Sequence, residues 1–193
     1  IYRFAVLESG PHAGNKRACS SCLLRIRDVK LNYASIRKCD IANGEGVRVS
    51  LFVSGCTHRC KGCFNPDQWS FSYGQAFTAE VEDEILEALD QDFIDGLSIL
   101  GGEPMESDNQ RALVPFLRRM RKRFGATKNV WVYTGCELEC LKGERGECRW
   151  RCEMTDEFLS LIDVLVDGPF IEELKDISLR FRGSSNQRII QLH

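Results

Sequence analysis

No stretch of this chain is apolar for anything near the length needed to cross a bilayer, so no membrane-spanning helix is expected. Neither sign of charge dominates. The formal net charge is -2, and no global basic field announces a nucleic-acid partner. The opening stretch, IYRFAVLESGPHAGNKRACSSC, lacks both an uninterrupted apolar core and a cleavage site of small residues, so it does not read as a signal peptide. Periodicity is also missing there. With Gly10, Pro11 and Gly14 among basic residues, positions 1–28 read as a disordered or artefactual leader. One domain spanning 29–193 follows, and Val29 reads as a start translated from a GTG codon.

Cysteine, by contrast, is plentiful. There are ten, at positions 19, 22, 39, 56, 60, 63, 136, 140, 148 and 152. So many thiols without a secretion signal point to metal or redox chemistry in a reducing, cytoplasmic setting. Hydrophobic residues at 43% and charged residues at 28% are ordinary for a globular chain able to bury a core.

From Val47 onward the pattern becomes regular. VRVSLFVSG is β-branched and apolar and ends in glycine, which predicts a buried strand. TAEVEDEILEALDQD predicts a helix, with Thr78 as N-cap, acids in the first turn and a stripe of Val81, Ile85, Leu86 and Leu89. GLSIL, NVWVYTG and DVLVDG predict strands, and RIIQL a final one. NQRALVPFLRRMRKRFG predicts a helix that stops at Gly125 and has a kink or a late start at Pro115; TDEFLSLI predicts a short helix. Alternating strands and helices give an α/β class with parallel strands. Five or six strands are too few for a closed eightfold barrel of about 250 residues, so an incomplete, open β/α barrel or small open sheet is expected. Functional loops belong at the C-terminal ends of such strands. The segments GCTHRCKGCFN, GGEP, YTG and VDG all fall there.

GCTHRCKGCFN carries Cys56, Cys60 and Cys63 in a C-x3-C-x2-C spacing. Structural zinc closes a shell of four ligands. A [4Fe-4S] cluster ordinarily takes four cysteines, so three leave one iron open to a group that is not protein. The alternatives are a disulfide pair with a spare thiol, or a zinc ion completed by His58 or Cys39.

This spacing after the first strand resembles the signature of the radical S-adenosylmethionine enzymes. The ordered set DIANGEGVRVSLFVSGCTHRCKGCFNPDQW, GGEP, VDGPF and RGSSNQ resembles the activating subunits of anaerobic (class III) ribonucleoside-triphosphate reductases, over about Leu31 to His193. The resemblance implies an open barrel of the radical type, with Cys56, Cys60 and Cys63 holding the cluster. The open iron would chelate S-adenosylmethionine. Reductive cleavage would then give methionine and a 5′-deoxyadenosyl radical that takes a hydrogen atom from a glycine of the large reductase subunit. No side chain is needed as a base. A flavodoxin or ferredoxin would supply the electron. The resemblance further assigns Gly62, Cys63 and Phe64 to the adenosine moiety. It gives Gly101, Gly102 and Glu103 to the methionine amino group, and puts Thr134 and Asp167 near the cofactor. Many radical enzymes hold an aromatic at the position of Gly62, whereas this subfamily tends to glycine. Relatives often carry lysine where Pro169 stands. RGSSNQ (182–187), with Asn43, Gly44 and Gly46, is a family mark near cofactor or partner.

CELECLKGERGECRWRC adds Cys136, Cys140, Cys148 and Cys152, which the family pattern lacks. Four thiols in two i, i+4 pairs offer a second metal site, zinc before iron–sulfur. Free thiols or disulfides are the alternatives. Cys19 and Cys22 have no strand–helix context and receive no role. The competing readings are an activase for another glycyl-radical enzyme, and a zinc-dependent interaction module using the basic run RRMRKR (118–123).

Overall fold

The computed structural model describes residues 30–193. The leader, the Val29 start and Cys19 and Cys22 lie outside the described residues.

A seven-stranded, open sheet organises them, in the order β3-β1-β2-β4-β5-β6-β7. The strands are β1 (Asn32–Asp40), β2 (Arg48–Val53), β3 (Gln75–Ala76), β4 (Gly96–Gly101), β5 (Asn129–Tyr133), β6 (Val164–Asp167) and β7 (Arg188–Gln191). The four strands β2, β4, β5 and β6 run parallel, as alternation with helices predicts. The flanking strands β1, β3 and β7 are antiparallel. Sequence reading finds β7 but not β1 or β3. Two register shifts break the side-chain alternation of β1, so it carries little period-2 signal.

The helices are α1 (Ala79–Leu89), α2 (Ser107–Phe124), α3 (Leu138–Leu141) and α4 (Thr155–Ser160). In α1, Thr78 occupies the N-cap position but makes no side-chain cap bond, so the first-turn acids Glu80 and Glu82 face the helix dipole. In α2 the helix runs through Pro115 rather than starting late. Gly125 ends it, at φ +56°, with its N–H donating to the Arg121 carbonyl.

Strand alternation sorts the sheet into two faces. Val49, Leu51, Val53, Leu97, Ile99, Val130, Val132 and Leu165 join one core with Ile85 and Leu89 of α1 and Leu113, Phe116, Leu117 and Met120 of α2. Each such side chain contributes about 1.5–3 kcal/mol when fully buried, so this face anchors the sheet. The residues between them point the other way: Arg48, Ser50 and Phe52 on β2, Ser98 and Leu100 on β4, Trp131 and Tyr133 on β5. Only a small apolar cluster of Trp131, Val164 and Val166, with Tyr133 and Phe181, forms on that side.

Arg48 is fully buried there. Its guanidinium donates to Ser98 Oγ (2.7 Å) and to the carbonyls of Leu97 (2.8 Å), Glu45 (3.0 Å) and Asn129 (3.2 Å). With no carboxylate in direct contact, burial pulls its pKa down to about 10. The second face is therefore a polar interior, open at the C-terminal ends of the parallel strands.

Candidate functional site

The cysteine loop leaves β2 and is pinned at its foot. Gly55 N–H donates to Gln68 O (2.8 Å) and Cys56 N–H to Trp69 O (3.1 Å), both on the single-turn helix Pro66–Trp69. Two left-handed residues, Arg59 (φ +52°) and Gly62 (φ +70°), then turn the chain back. At Gly62 a Cβ would stand 2.7 Å from the Glu172 carboxylate. The left-handed backbone there favours glycine, and a side chain would also make the Glu172 carboxylate move aside.

The two glycines of GGEP answer to that same foot. A Cβ on Gly101 would come 2.7 Å from Val53 O, and one on Gly102 2.6 Å from Gly55 O. Without side chains there, Gly102 N–H reaches Val53 O (2.7 Å) and Glu103 N–H reaches Gly55 O (2.8 Å). The end of β4 is thereby locked to the cysteine loop.

Cys56, Cys60 and Cys63 all line one cavity of about 510 Å³, within the range of small-molecule and cofactor sites. Its walls also include Phe64, Gly101, Gly102, Glu103, Thr134 and Gly168. Asn43, and Arg182, Gly183 and Gln187 from RGSSNQ, complete them. Five loops far apart in sequence meet here. Phe64 is 61% exposed at the rim, packed against Phe170 with ring centroids 5.1 Å apart.

The three sulfurs do not all lie within 4.8 Å of one another. Among the described residues only His58, Glu103 and Cys136 form such a group of three. The two candidates for a fourth zinc ligand lie in different places, His58 on the cavity wall and Cys39 away from it. Cys39 is exposed on β1 and lines a different groove. His58 is engaged with Glu103 and Cys136. Burial pushes the Cys56 thiol up to about 11 and raises that of Cys60, so in the metal-free chain both favour the neutral thiol. Two buried donors in side chains of the cavity wall, the Tyr133 hydroxyl and the Trp69 indole N–H, have no partner in the protein. Such donors fit a polar ligand.

Glu103 sits beneath this cavity, 1% exposed. Its carboxylate accepts from Met105 N (2.8 Å), Thr134 Oγ1 (2.7 Å) and Gly135 N (2.8 Å), and lies 2.8 Å from His58 Nε2. It ties three loops together, with no oxygen left free for a ligand's amino group. The backbone of Gly101 and Gly102 is what faces the cavity. Thr134 lines the wall, but its hydroxyl is likewise engaged, donating to Glu103 and accepting from Cys136 N (3.0 Å).

Asp167 lies off this cavity. It is fully buried. Its oxygens accept from Arg188 Nε (2.9 Å) and Leu138 N (2.8 Å), and Arg188 also pairs with Glu139. The neighbouring Gly168 takes the wall position. RGSSNQ holds that loop in place: Gln187 Nε2 donates to Gly168 O (3.1 Å) and Asn186 Nδ2 to Pro169 O (2.8 Å).

The second cysteine group is divided among different partners. Cys140 and Cys148 are joined in a disulfide, Cα atoms 5.5 Å apart. Cys136 is buried, its sulfur 3.7 Å from His58 Nε2. Cys152 Sγ faces Gln110 Oε1 (3.5 Å). In the metal-free chain the four sulfurs thus have different partners. Sequence reading also missed Tyr133, Trp69 and Phe170 on the wall. The period-2 pattern of NVWVY does place Tyr133 on the open face; Trp69, at the end of the single-turn helix, and Phe170, in a loop, carry no such signal.

The family model described as a 4Fe-4S single cluster domain matches residues 42–190. The chain is 43% identical over 161 residues to the anaerobic ribonucleoside-triphosphate reductase-activating protein of Haemophilus influenzae, covering 82% of this chain and 97% of that one. The protein of the same name from Escherichia coli K12 is 39% identical over 164 residues, covering 84% and 99%. That of Enterobacteria phage T4 is 35% identical, covering 82% and 93%. With identity of this order over nearly the whole of each relative, the chain belongs to the family of anaerobic ribonucleoside-triphosphate reductase-activating proteins.

Proposed function

We propose that this chain is a radical S-adenosylmethionine activase that generates a glycyl radical on the large subunit of an anaerobic ribonucleoside-triphosphate reductase. The observation that carries it is the convergence of three unjoined thiols on an open cavity at the C-terminal ends of parallel strands. In this reading the open sheet is the incomplete β/α barrel of the radical type.

Cys56, Cys60 and Cys63 would hold a [4Fe-4S] cluster, with S-adenosylmethionine bound beside it in the same cavity. With one electron from a flavodoxin or ferredoxin, the bound group would supply reductive cleavage of the sulfonium carbon–sulfur bond and, from it, hydrogen-atom abstraction. The chain's own residues bind, orient and shield. Gly101 and Gly102 let main-chain groups approach the methionine end, with Glu103 setting their position from below. Gly62, Cys63 and Phe64 lie along the adenosine, with Tyr133 and Trp69 offering unpaired donors. No base is required, because hydrogen-atom transfer moves proton and electron together.

A macromolecular substrate needs an open mouth. Phe64 on the rim is exposed, as are Ile41 beside the wall residue Ala42 and Ile177 close to the wall residue Leu179. Apolar, accessible rims of this kind suit a protein partner. No described helix is long and apolar enough to cross a membrane, and low-potential chemistry suits the reducing cytoplasm.

The test is anaerobic loading with iron and sulfide, followed by mixing with the large subunit, S-adenosylmethionine and a low-potential reductant. The expected result is methionine release with a glycyl-radical doublet in the electron paramagnetic resonance spectrum. Methionine release with no radical on that subunit would redirect the reading to another glycyl-radical partner. A loaded cluster that releases no methionine would overturn it.

A further inference from the structure

The cysteine-rich segment after β5 folds back onto the cysteine loop. Arg149 donates from one terminal nitrogen to the Thr57 carbonyl (3.2 Å) and to Thr57 Oγ1 (2.9 Å). The ring of Trp150 stacks on that of His58, centroids 4.4 Å apart and planes 18° from parallel. His58 is held along its edge by Glu103 Oε2 (2.8 Å) and Cys136 Sγ (3.7 Å). Gly135 leaves it room, since a Cβ there would come 2.8 Å from the imidazole.

These contacts have a firm base. Trp150 packs against the main core, and its carbonyl accepts from Gln110 Nε2 (2.7 Å), itself buried in α2. The Arg149 guanidinium lies 4.1 Å above the Trp150 ring. Both residues directly follow Cys148, whose bond to Cys140 closes the segment on itself.

The targets are specific. Thr57 and His58 belong to the short leg between Cys56 and Cys60, and Arg59 on the same leg has a left-handed backbone. Such a conformation in a non-glycine residue persists only where its surroundings fix it. The other leg is approached from a different side, by Glu172 at Gly62 and by Lys175 over Phe64. The segment therefore acts on one half of the loop, the half that sets the separation of Cys56 from Cys60.

We propose that Cys136–Cys152 is a positioning arm for the cluster-binding loop, with Arg149 and Trp150 its contact residues and Thr57 and His58 their targets. The inference rests on the reading that Cys56, Cys60 and Cys63 hold the cluster. Its test does not need the cluster.

The full-length chain, purified anaerobically and not loaded, is treated with iodoacetamide, and each cysteine is followed by peptide mass spectrometry. In Trp150→Ala the rates at Cys56 and Cys60 should rise about three- to tenfold relative to Cys63, as loss of one stacked aromatic contact allows. Trp150→Phe should restore most of the wild-type ratio. Arg149→Ala, at an exposed side chain that leaves the core untouched, should move the ratio in the same direction by about twofold. Once loaded, Trp150→Ala should lose iron to a chelator faster than wild type. Unchanged ratios would overturn the proposal. So would an equal rise at Cys63, which would show general loosening. Should Trp150→Ala fail to fold, the Arg149→Ala ratio decides. If wild type takes up no cluster, the activase reading fails while the alkylation ratios still judge the arm.

Discussion

The chain has two cysteine-rich regions, and they use sulfur in opposite ways. In the loop after β2, three thiols line a cavity and remain unjoined. In the segment after β5, four thiols have found partners: two are bonded to each other, one is buried against His58 and one faces Gln110. Counting ligands favours the second region as a closed metal site. Geometry favours the first as a reactive one, because coordination needs sulfurs that converge on an empty volume with nothing else competing for them. The difference shows that cysteine count and spacing carry less information than what each thiol faces.

The comparison breaks most sharply at the cysteines themselves. Replacing any one of Cys56, Cys60 or Cys63 with serine should abolish iron loading, read by iron analysis and visible absorbance. Replacing Cys140 and Cys148 together should preserve loading. It should cost about 2.5 kcal/mol in denaturant stability if an eight-residue loop closure is what the disulfide contributes. In stability, a larger effect than that of the disulfide belongs to Glu103→Ala. It strands the donors of Met105, Thr134 and Gly135 together with His58. A loss of about 3–5 kcal/mol in denaturant stability is expected from breaking a buried charged network.

Gly62→Phe probes the loop from its other side. The φ of +70° and the nearby Glu172 should together cost about 1–3 kcal/mol, visible as slower cluster uptake with the helix content unchanged. The smallest effect on the cofactor belongs to Asp167→Asn. It weakens the pair with Arg188, which keeps Glu139, and should lower stability by about 1–2 kcal/mol. Because Asp167 lies off the cavity, the affinity for S-adenosylmethionine, measured calorimetrically on the loaded protein, should not move.

Much of the site was legible because strand ends and turn residues are local signals. The strands VRVSLFV, GLSIL and NVWVY alternate or run apolar, so the loops that follow them can be placed on one rim before any coordinates. GGEP is readable for the same reason, although its glycines answer to Val53 and Gly55, nearly fifty residues earlier. What escaped reading depends on distant partners. Asp167 looks like any aspartate before a glycine until Arg188 arrives from β7, 21 positions away. Arg149 and Thr57 are separated by 92 positions. Cys140 and Cys148 have Gly143 and Gly146 between them, both with positive φ, which lets the chain double back and join the two. That local cue is compatible with a disulfide or a shared metal alike.

The central claim is that sulfur in the loop, and not in the arm, holds the cluster. The direct measurement is iron, sulfide and zinc per chain after anaerobic loading, in wild type, in Cys56→Ser/Cys60→Ser/Cys63→Ser and in Cys140→Ser/Cys148→Ser. About four iron and four sulfide in wild type and in the arm variant, none in the loop variant and no stoichiometric zinc in any would bear the account out. Iron retained by the loop variant, or metal that leaves with the arm cysteines, would contradict it.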